Sequence, residues 1–449
     1  MKKNNSLTLS LAFKNLSRQK KRSFLLAGAI AFGFFVVTAI EGLATGAVKN
    51  LENQITELMG GSVIIEGVER LPSTQDGKKG ELVNLIRDPN FVKDVVHKSG
   101  IKYSYYSQRA TSSGTLMFEG KQIISQVFGC SFEDENHLIK SMVIKEGSLD
   151  NISQKDCIIL NEKVAKALKV TVGENIIFST STNEGQNTFG DFTVIAITKD
   201  ASFLSSMACY VRQDTLNELM LAPKDSFSMF CITIPNKNKQ AEDATIIESL
   251  IKESGCAITS RTEAIAKNPT SPATALTRQL KDADFKDTMY CSFCINDAMP
   301  QIQQVMSVVN IVTTVILLVI LLIVMVGISN TYKMVLYERI REIGTERALG
   351  MTGKQTGGVF TTEAIILALL GAVAGLILGL LGMWIFSLIH FDSVTMSLFL
   401  NKGHATFYLT PASIIIKFVI MIVLTVMAVH SSAKSAASLS PAVALRTVK

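Results

Sequence analysis

The sequence predicts an α-helical membrane protein with four transmembrane helices, arranged as one followed by three, and a large mixed α/β extracytoplasmic domain. Hydrophobic residues make up 48% of the 449 residues and charged residues only 18%, against about 25% charged in soluble domains. Four long apolar runs account for this deficit. They cover Phe24–Ile40, Ala298–Tyr332, Ala364–Ile389 and Ala412–Val429.

The first two runs differ in length, and we expect different roles for them. The first is uncharged over 17 residues, roughly 25 Å of helix against a hydrocarbon core of ~30 Å. A basic segment precedes it, so a cleaved signal peptide is the alternative. The second is uncharged over 35 residues, roughly 52 Å of helix. We therefore expect the second helix to project from the membrane as a stalk.

The third and fourth runs carry features that bear on packing. Gly371, Gly375 and Gly379 are spaced four residues apart, which places them on one helix face where another backbone can approach. We interpret them as a packing seam against another span or a partner subunit. General tolerance of glycine in membrane helices is the alternative. Lys417 interrupts the fourth run, and we expect it to extend to the lipid headgroups.

Basic residues set the expected orientation. The segment before the first run has seven Lys and Arg and no acidic residue, and the loop from Lys333 to Glu363 has five. The positive-inside rule then places both termini and this loop in the cytoplasm of a multi-pass protein of the cell inner membrane. The predicted segments are a cytoplasmic amphipathic segment (1–23), the first span (24–47), the extracytoplasmic domain (48–297), the second span and stalk (298–332), a cytoplasmic loop (333–363), the third span (364–390), a short external loop (391–411), the fourth span (412–430) and a cytoplasmic tail (431–449).

The predicted extracytoplasmic domain alternates strand-like and helix-like runs. The strand-like runs are Val63–Glu66, Ile123–Phe128, Asp156–Leu160, Asn175–Ser179, Phe192–Ile197 and Met229–Ile234. Asn161–Lys169, with Asn161 as N-cap, and Gln240–Glu253 are helix-like. Gly67–Gly80 and Thr182–Gly190 are polar and predict loops.

No motif for chemistry stands out in this domain. It contains no GxSxG, HExxH or other catalytic signature, so we predict no catalytic residues and no metal site. Cys291 and Cys294 form a lone CxxC among seven cysteines. We favour buried thiols or one local disulfide over a redox or metal role, because no second ligand pair lies at zinc spacing. The basic residues cluster at the chain ends, so we predict no nucleic-acid partner.

The segment between the second and third runs is the most informative. Asn330–Gly358 reads NTYKMVLYERIREIGTERALGMTGKQTGG. Helix-face pairs four residues apart are available, and Gly350 and Gly353 are candidate helix terminators. On these residues alone, a solvated connecting helix is the alternative to a functional element.

The string ER-x-REIG-x-x-RALG between two spans resembles the signature of FtsX-like permeases, the membrane subunits of MacB-type ABC transporters. The external stretch from Val143 and the ending SLSPAVALR are also similar to that family. The resemblance implies a MacB-type periplasmic core domain and a cytoplasmic ABC ATPase dimer that docks on the loop. The ATPase-coupling residues would be Glu338, Arg339, Glu342, Ile343, Gly344, Arg347, Leu349 and Gly350. Ile343 and Leu349 would supply an apolar anchor.

The sequence has no P-loop, because Gly353-Lys354 is followed by Gln355 and lacks the upstream glycine. We therefore expect this chain to bind no cofactor itself, with ATP and Mg²⁺ on a separate ATPase, and to act as a mechanotransmitter.

The layout of four spans and a large external domain resembles the lipoprotein-releasing (LolC/LolE) subunits. The resemblance implies lipoprotein release from the outer face of the inner membrane. The alternatives are MacB-like export of a peptide, toxin or small molecule, and a signalling module that activates an external hydrolase. The expected partners also include a second permease copy or paralogue, a periplasmic carrier and membrane lipids.

Overall fold

The computed structural model describes Ala12, Lys14 and Leu16 and residues 20–71, 80–199, 208–269, 272–298, 300–391, 399–401 and 403–438. The chain divides into two compact units. One consists of Met1–Ala47, Ser307–His390 and His404–Lys449, and the other of Val48–Met306 and Phe391–Gly403. We call them the membrane unit and the α/β unit.

The helices and strands are numbered in chain order. The helices are α1 (Lys20–Met59), α2 (Pro89–Lys98), α3 (Asn136–Ser141), α4 (Glu162–Leu168), α5 (Gln213–Leu219), α6 (Gln240–Glu253), α7 (Arg261–Lys267), α8 (Pro272–Asp282), α9 (Ile295–Ala298), α10 (Pro300–Glu338), α11 (Ile340–Ala348), α12 (Gly353–Ser387) and α13 (Pro411–Ser438), with one 3₁₀ turn at Lys237–Lys239. The strands are β1 (Val63–Arg70), β2 (Leu82–Asn84), β3 (Tyr105–Phe118), β4 (Lys121–Cys130), β5 (Ile144–Gly147), β6 (Cys157–Asn161), β7 (Asn175–Ser181), β8 (Asn187–Thr198), β9 (Ala208–Arg212), β10 (Met229–Thr233) and β11 (Met289–Cys294).

Four helices are long and apolar enough to cross a membrane, which confirms the predicted fold class. Within the described residues the candidate spans are Ser23–Met59, Ile311–Val335, Gly353–Ser387 and Pro411–His430. The helices extend beyond the predicted spans. α1 has 40 residues and α10 has 39, each roughly 60 Å long where ~20 residues suffice for a bilayer.

Close contacts between α1 and α12 depend on two of the three glycines. A Cβ built on Gly375 would lie 2.4 Å from the backbone oxygen of Ala31, and one built on Gly371 would lie 2.8 Å from that of Ala27. Only glycine allows backbones to approach this closely. Gly379 differs, because its Cβ would make an ordinary 3.6 Å contact with Thr38. The packing seam predicted from the sequence therefore lies against α1, and its tight part ends at Gly375.

Lys417 does not extend toward headgroups as we expected. Its side chain is 6% exposed and forms an ion pair with Glu41 of α1, and the hydroxyl of Ser413 also donates to Glu41. A lone charge inside a span is costly, whereas a carboxylate and an ammonium in contact offset each other's desolvation. The expectation was wrong because it considered one helix, and the partner charge lies on another.

The α/β unit is built on an 11-stranded mixed sheet. Its strand order is β11-β1-β10-β3-β4-β9-β6-β8-β5, with β2 paired to β1 and β7 paired to β3 and β8. The long strand β3 joins two halves, because its start pairs with β10 and its end with β7. One core lies around β1, β10, α2 and α6, and the other around β4, β6, β8 and α4.

The local predictions for this unit were mostly right. All six strand-like runs coincide with strands, two of them extending one residue too far, at Asp156 and Ile234. Gln240–Glu253 is α6, and Asn161 caps α4 by accepting from the Val164 N–H. The two predicted loops were partly wrong. Gly67–Arg70 continues β1 and 187–190 begins β8, while residues 72–79 of the first loop lie outside the described residues. Polar residues there occupy the solvated face of strands, which composition alone does not distinguish from loops.

We predict that Gly375→Ala loosens the α1–α12 contact and lowers the thermal stability of the full chain in detergent. The added methyl group meets backbone, which cannot rotate away, so a cost of about 1–3 kcal/mol is expected. Gly28→Ala and Gly379→Ala are the controls, because Gly28 has nothing within 4 Å and Gly379 has only ordinary contacts. Equal melting temperatures for Gly375→Ala and the two controls would contradict the assignment.

Candidate functional site

The segment between α10 and α12 forms a short helix with defined ends. α10 ends at Glu338, α11 follows after Arg339, and Gly350 then turns the chain at a φ of +101°, a conformation that favours glycine. Thr352 begins α12 with a capping box in which its hydroxyl and the side chain of Gln355 each bond the other's backbone. Gly353 is therefore the first residue of α12, and our interpretation of it as a helix terminator was wrong.

One face of α11 is buried within the membrane unit. Ile343 is 1% exposed and packs in the same core as residues of α1, α10, α12 and α13. Gly344 beside it is also buried. Since Ile343 is enclosed in this way, it does not offer the outward apolar contact that we expected of it.

A buried ion pair holds the start of α11 to α12. The Nη1 of Arg339 donates to Glu363 over 3.2 Å, and both side chains are less than a tenth exposed. Its Nε also donates to Glu342, over 3.1 Å, and its guanidinium lies 5.6 Å from the ring of Phe360. Arg339 therefore acts within its own unit, and it fixes where α11 sits.

The opposite face of the segment is open. Leu349 is 86% exposed and Tyr337 74% exposed, while the side chain of Glu342 is 48% exposed. We call Tyr337, Glu338, Glu342, Arg347 and Leu349 the outer face.

Arg347 on this face is incompletely satisfied. Its Nε and Nη1 are shielded from solvent and have no hydrogen-bond partner in the described structure. A buried donor left without an acceptor costs about 1–3 kcal/mol. The two donors are covered in this arrangement, so an acceptor from a partner would reach them only after the Arg347 side chain turned outward.

Two family comparisons cover most of the chain. Residues 23–247 match the MacB-like periplasmic core domain, and residues 314–441 match the FtsX-like permease C-terminal family. The first match alone covers half of the chain. The chain belongs to the MacB-like periplasmic core domain family. It is an ABC transporter permease of the MacB/FtsX type.

Individual relatives are more distant. An uncharacterised ABC transporter permease of Methanocaldococcus jannaschii is 21% identical over 378 residues, which is 83% of this permease and 82% of the relative. The macrolide export ATP-binding/permease protein MacB of Nitrobacter winogradskyi is 44% identical over 54 residues, 12% of this permease and 8% of that protein.

Among solved structures, the periplasmic region of MacB from Actinobacillus actinomycetemcomitans has 19% identity and a TM-score of 0.28, covering 46% of this permease and 90% of that chain. The extracellular domain of the transporter YknZ from Gram-positive bacteria has 15% identity and a TM-score of 0.27, covering 42% of this permease and 95% of that chain.

The α/β unit of the permease holds one arrangement that resembles a catalytic triad in composition. Ser107, His137 and Glu135 lie together, but the serine and the carboxylate both approach Nε2 of the histidine, at 3.3 and 4.0 Å. A proton relay needs the two ring nitrogens on opposite sides. Burial, and secondarily the charge of Arg109, lowers the pKa of His137 to about 4. These three side chains therefore pack the core and cannot relay a proton.

The CxxC pair is not bonded. Cys291 and Cys294 are free thiols on β11, and residues three apart on a strand point to opposite faces. Burial raises the pKa of Cys291 to about 12 and that of Cys294 to about 11, which disfavours the reactive thiolate. Among the described residues, no three His, Cys, Asp or Glu side chains are grouped to hold a metal ion.

Sequence reasoning missed Glu363 and Thr352. Glu363 is the only carboxylate between Arg347 and the third apolar run, and a charge at the edge of a membrane helix is a signal for a buried partner. Thr352 and Gln355 have the capping-box spacing. Both signals were in the sequence.

We predict that Glu363→Ala lowers the melting temperature of the full permease in detergent far more than Glu342→Ala does. Removing one partner of a buried pair leaves an uncompensated charge, at a cost of about 3–5 kcal/mol. The Glu342 contact is half exposed and contributes about 0–1 kcal/mol. A Glu363→Ala melting temperature equal to that of Glu342→Ala would show that the Arg339–Glu363 pair does not hold α11.

Proposed function

We propose that this permease is the mechanotransmitting subunit of an ABC transporter that releases lipoproteins from the outer face of the inner membrane. A cytoplasmic ATPase dimer would dock on the outer face of the loop after α10. ATP binding would then move α11, and α10 would carry the displacement. Nucleotide can drive this only through a difference in its affinity for two states.

The observation that carries the proposal is the two-sided character of α11. Ile343 and the Arg339–Glu363 pair fix one side to the spans. The other side presents Leu349, and Arg347 carries two unsatisfied donors. Because the buried face of α11 is fixed to the spans, a force applied by a partner to its outer face would be transferred to those spans. A solvated linker would have neither the buried pair nor the enclosed isoleucine.

A mechanical route fits the spans better than a channel does. Within the four predicted spans the sequence has only two residues of the types Asp, Glu, Lys and Arg, Glu41 and Lys417, and these two neutralise each other. Polar routes through membranes are lined by several such residues. α10, by contrast, is one continuous helix of 39 residues, which suits transmission along its axis.

The orientation in this proposal rests on the basic residues. Both termini and the 333–363 loop would be cytoplasmic, and the α/β unit would be outside. ATP and Mg²⁺ would bind a separate ATPase, because this sequence carries no P-loop. The permease would also pair with a second copy or a paralogue.

The lipoprotein cargo is supported by the layout of four spans around one large domain. Export of a peptide, toxin or small molecule is the second candidate, favoured by the local similarity to a macrolide export protein. In lipoprotein release the cargo would pass to a periplasmic carrier, and membrane lipids would surround the site of extraction.

We predict that the double variant Glu342→Ala/Arg347→Ala uncouples ATP hydrolysis from transport while the protein still reaches the membrane. Two charged contacts with the ATPase would be lost, and a truncation at such a contact costs about 2 kcal/mol or more at an interface hot spot. The measurement is ATP turnover and transport by the permease reconstituted with its ATPase.

Thr345→Ala on the same helix is the matched control, since its hydroxyl only bonds the Arg341 carbonyl within α11. We expect wild-type coupling from it. Full transport by the double variant would count against the outer face as the docking surface. ATP turnover by the purified permease alone would contradict the division of labour.

We predict that depletion of the permease leaves lipoproteins in the inner membrane. Cell fractions would be separated and lipoproteins assayed in each, with a non-lipidated exported protein as control. Unchanged lipoprotein location would remove the lipoprotein proposal. A rise in sensitivity to an exported compound, with lipoprotein location unchanged, would favour the second candidate.

A further inference from the structure

The chain enters and leaves the α/β unit at neighbouring strands. β1 follows α1 after three residues, and β11 leads into α10 through the short helix α9. The two strands are antiparallel partners, with Val63 opposite Cys294, and the N–H of Ile295 donates to the Ser62 carbonyl over 3.1 Å. The end of α1 and the approach to α10 are thus fixed to adjacent positions of one sheet.

A fully buried arginine of the sheet donates hydrogen bonds to the last carbonyls of α1. The Nη1 of Arg109 on β3 donates to the Leu58 carbonyl over 2.6 Å and lies 3.4 Å from that of Glu57. Its other side bonds Glu135, with Nη2 at 2.8 Å, and neither charged side chain has any exposure. The last carbonyls of a helix lack intrahelical partners and carry partial negative charge, so Arg109 is a charge-assisted cap of α1 that belongs to the sheet.

A second buried pair stands before α10. The guanidinium of Arg261 bonds both oxygens of Asp297, at 2.6 and 3.1 Å, and both side chains are less than a tenth exposed. Asp297 also accepts from the N–H of Cys294, the last residue of β11. Arg261 further reaches Thr245 of α6 over 3.1 Å. The segment that leads into α10 is thereby joined to β11, α6 and α7.

The two pairs do more than neutralise buried charge, because each also bonds backbone or a neighbouring helix. A buried ion pair can often be replaced by apolar side chains of similar volume without loss of stability. An apolar pair cannot, however, bond helix carbonyls or hold a strand end to two helices. A substitution that keeps the positive charge but removes the planar guanidinium can therefore separate the positioning of the helix end from the contribution to folding.

We infer that Arg109–Glu135 and Arg261–Asp297 are the two joints through which the membrane-spanning helices α1 and α10 transmit movement to the sheet. The inference rests on the proposed function, because it assigns positioning residues to that mechanism. The first joint fixes the end of α1 to the sheet, and the second fixes the segment that precedes α10. Without the joints, part of the movement of the helix ends would be lost before it reached the sheet.

The test uses the full permease reconstituted with its ATPase, with ATP turnover and hydrogen exchange as readouts. In the wild type, ATP is expected to change exchange in β1 and β11. Arg109→Lys and Arg261→Lys each keep the charge that neutralises the carboxylate but lose the rigid fork. We expect normal ATP turnover and a nucleotide-dependent exchange change that falls about tenfold, as for the loss of one charge-assisted hydrogen bond.

Two controls separate transmission from stability. Phe178→Leu loosens the other core of the unit, and Arg212→Lys removes the bidentate fork to Asp214 at the end of β9, a strand that pairs with neither β1 nor β11. Both should keep the wild-type response to ATP, even where Phe178→Leu lowers the melting temperature as much as the lysine variants do. Equal loss of response in Phe178→Leu would overturn the inference and make the pairs merely structural.

The remaining outcomes are distinct. A wild-type response in both lysine variants overturns the joints and leaves the proposed function standing. An absent response in the wild type itself, despite ATP turnover, defeats the mechanotransmission proposal and the joints with it.

Discussion

A side chain stays charged away from water only when a partner of opposite charge goes with it, because the desolvation penalty of a lone buried ion exceeds any packing gain. Among the residues that the structure describes, two such pairs lie in the membrane unit and two in the α/β unit. Lys417–Glu41 and Arg339–Glu363 fix α13, α12 and the loop helix. Arg109–Glu135 and Arg261–Asp297 fix the end of α1 and the approach to α10. The pairs therefore determine which helix ends are fixed. Arg339–Glu363 also determines which side of the loop helix faces outward.

The remaining packing follows from apolar surface and from glycine. The membrane unit has a core of aliphatic and aromatic side chains from all four long helices, but lipid offers these side chains an equally apolar environment, so hydrophobicity alone does not select partners. The close approach of α12 to α1 at Gly371 and Gly375 supplies that selection by shape. Close packing at these glycines therefore selects which spans are neighbours, and the ion pairs fix individual helices and helix ends.

How far the sequence predicts this structure depends on the distance over which each signal acts. The spans came from long uncharged apolar runs, and the Asn161 cap and α6 came from local helix patterns and capping residues. Strand β3 did not, because its polar stretch of Ser, Gln, Arg and Thr residues lacks alternation and owes its burial to neighbours on both sides. Arg109 and Glu135 lie 26 residues apart on different elements, and no local pattern joins them. The loop was recognised by its motif, but which of its residues face inward followed only from the fold.

The division of the loop motif between inward and outward residues explains why such a motif can identify a family without defining a docking surface. Arg339, Ile343, Gly344 and Gly350 meet demands of the permease itself: a buried partner charge, a core position, a buried position beside it and a left-handed turn. Leu349 and Arg347 meet none of these demands. In the proposed function, an exposed side chain at a position that the fold holds still would be the one available to the ATPase. The inward residues would supply the rigidity that makes such a contact effective.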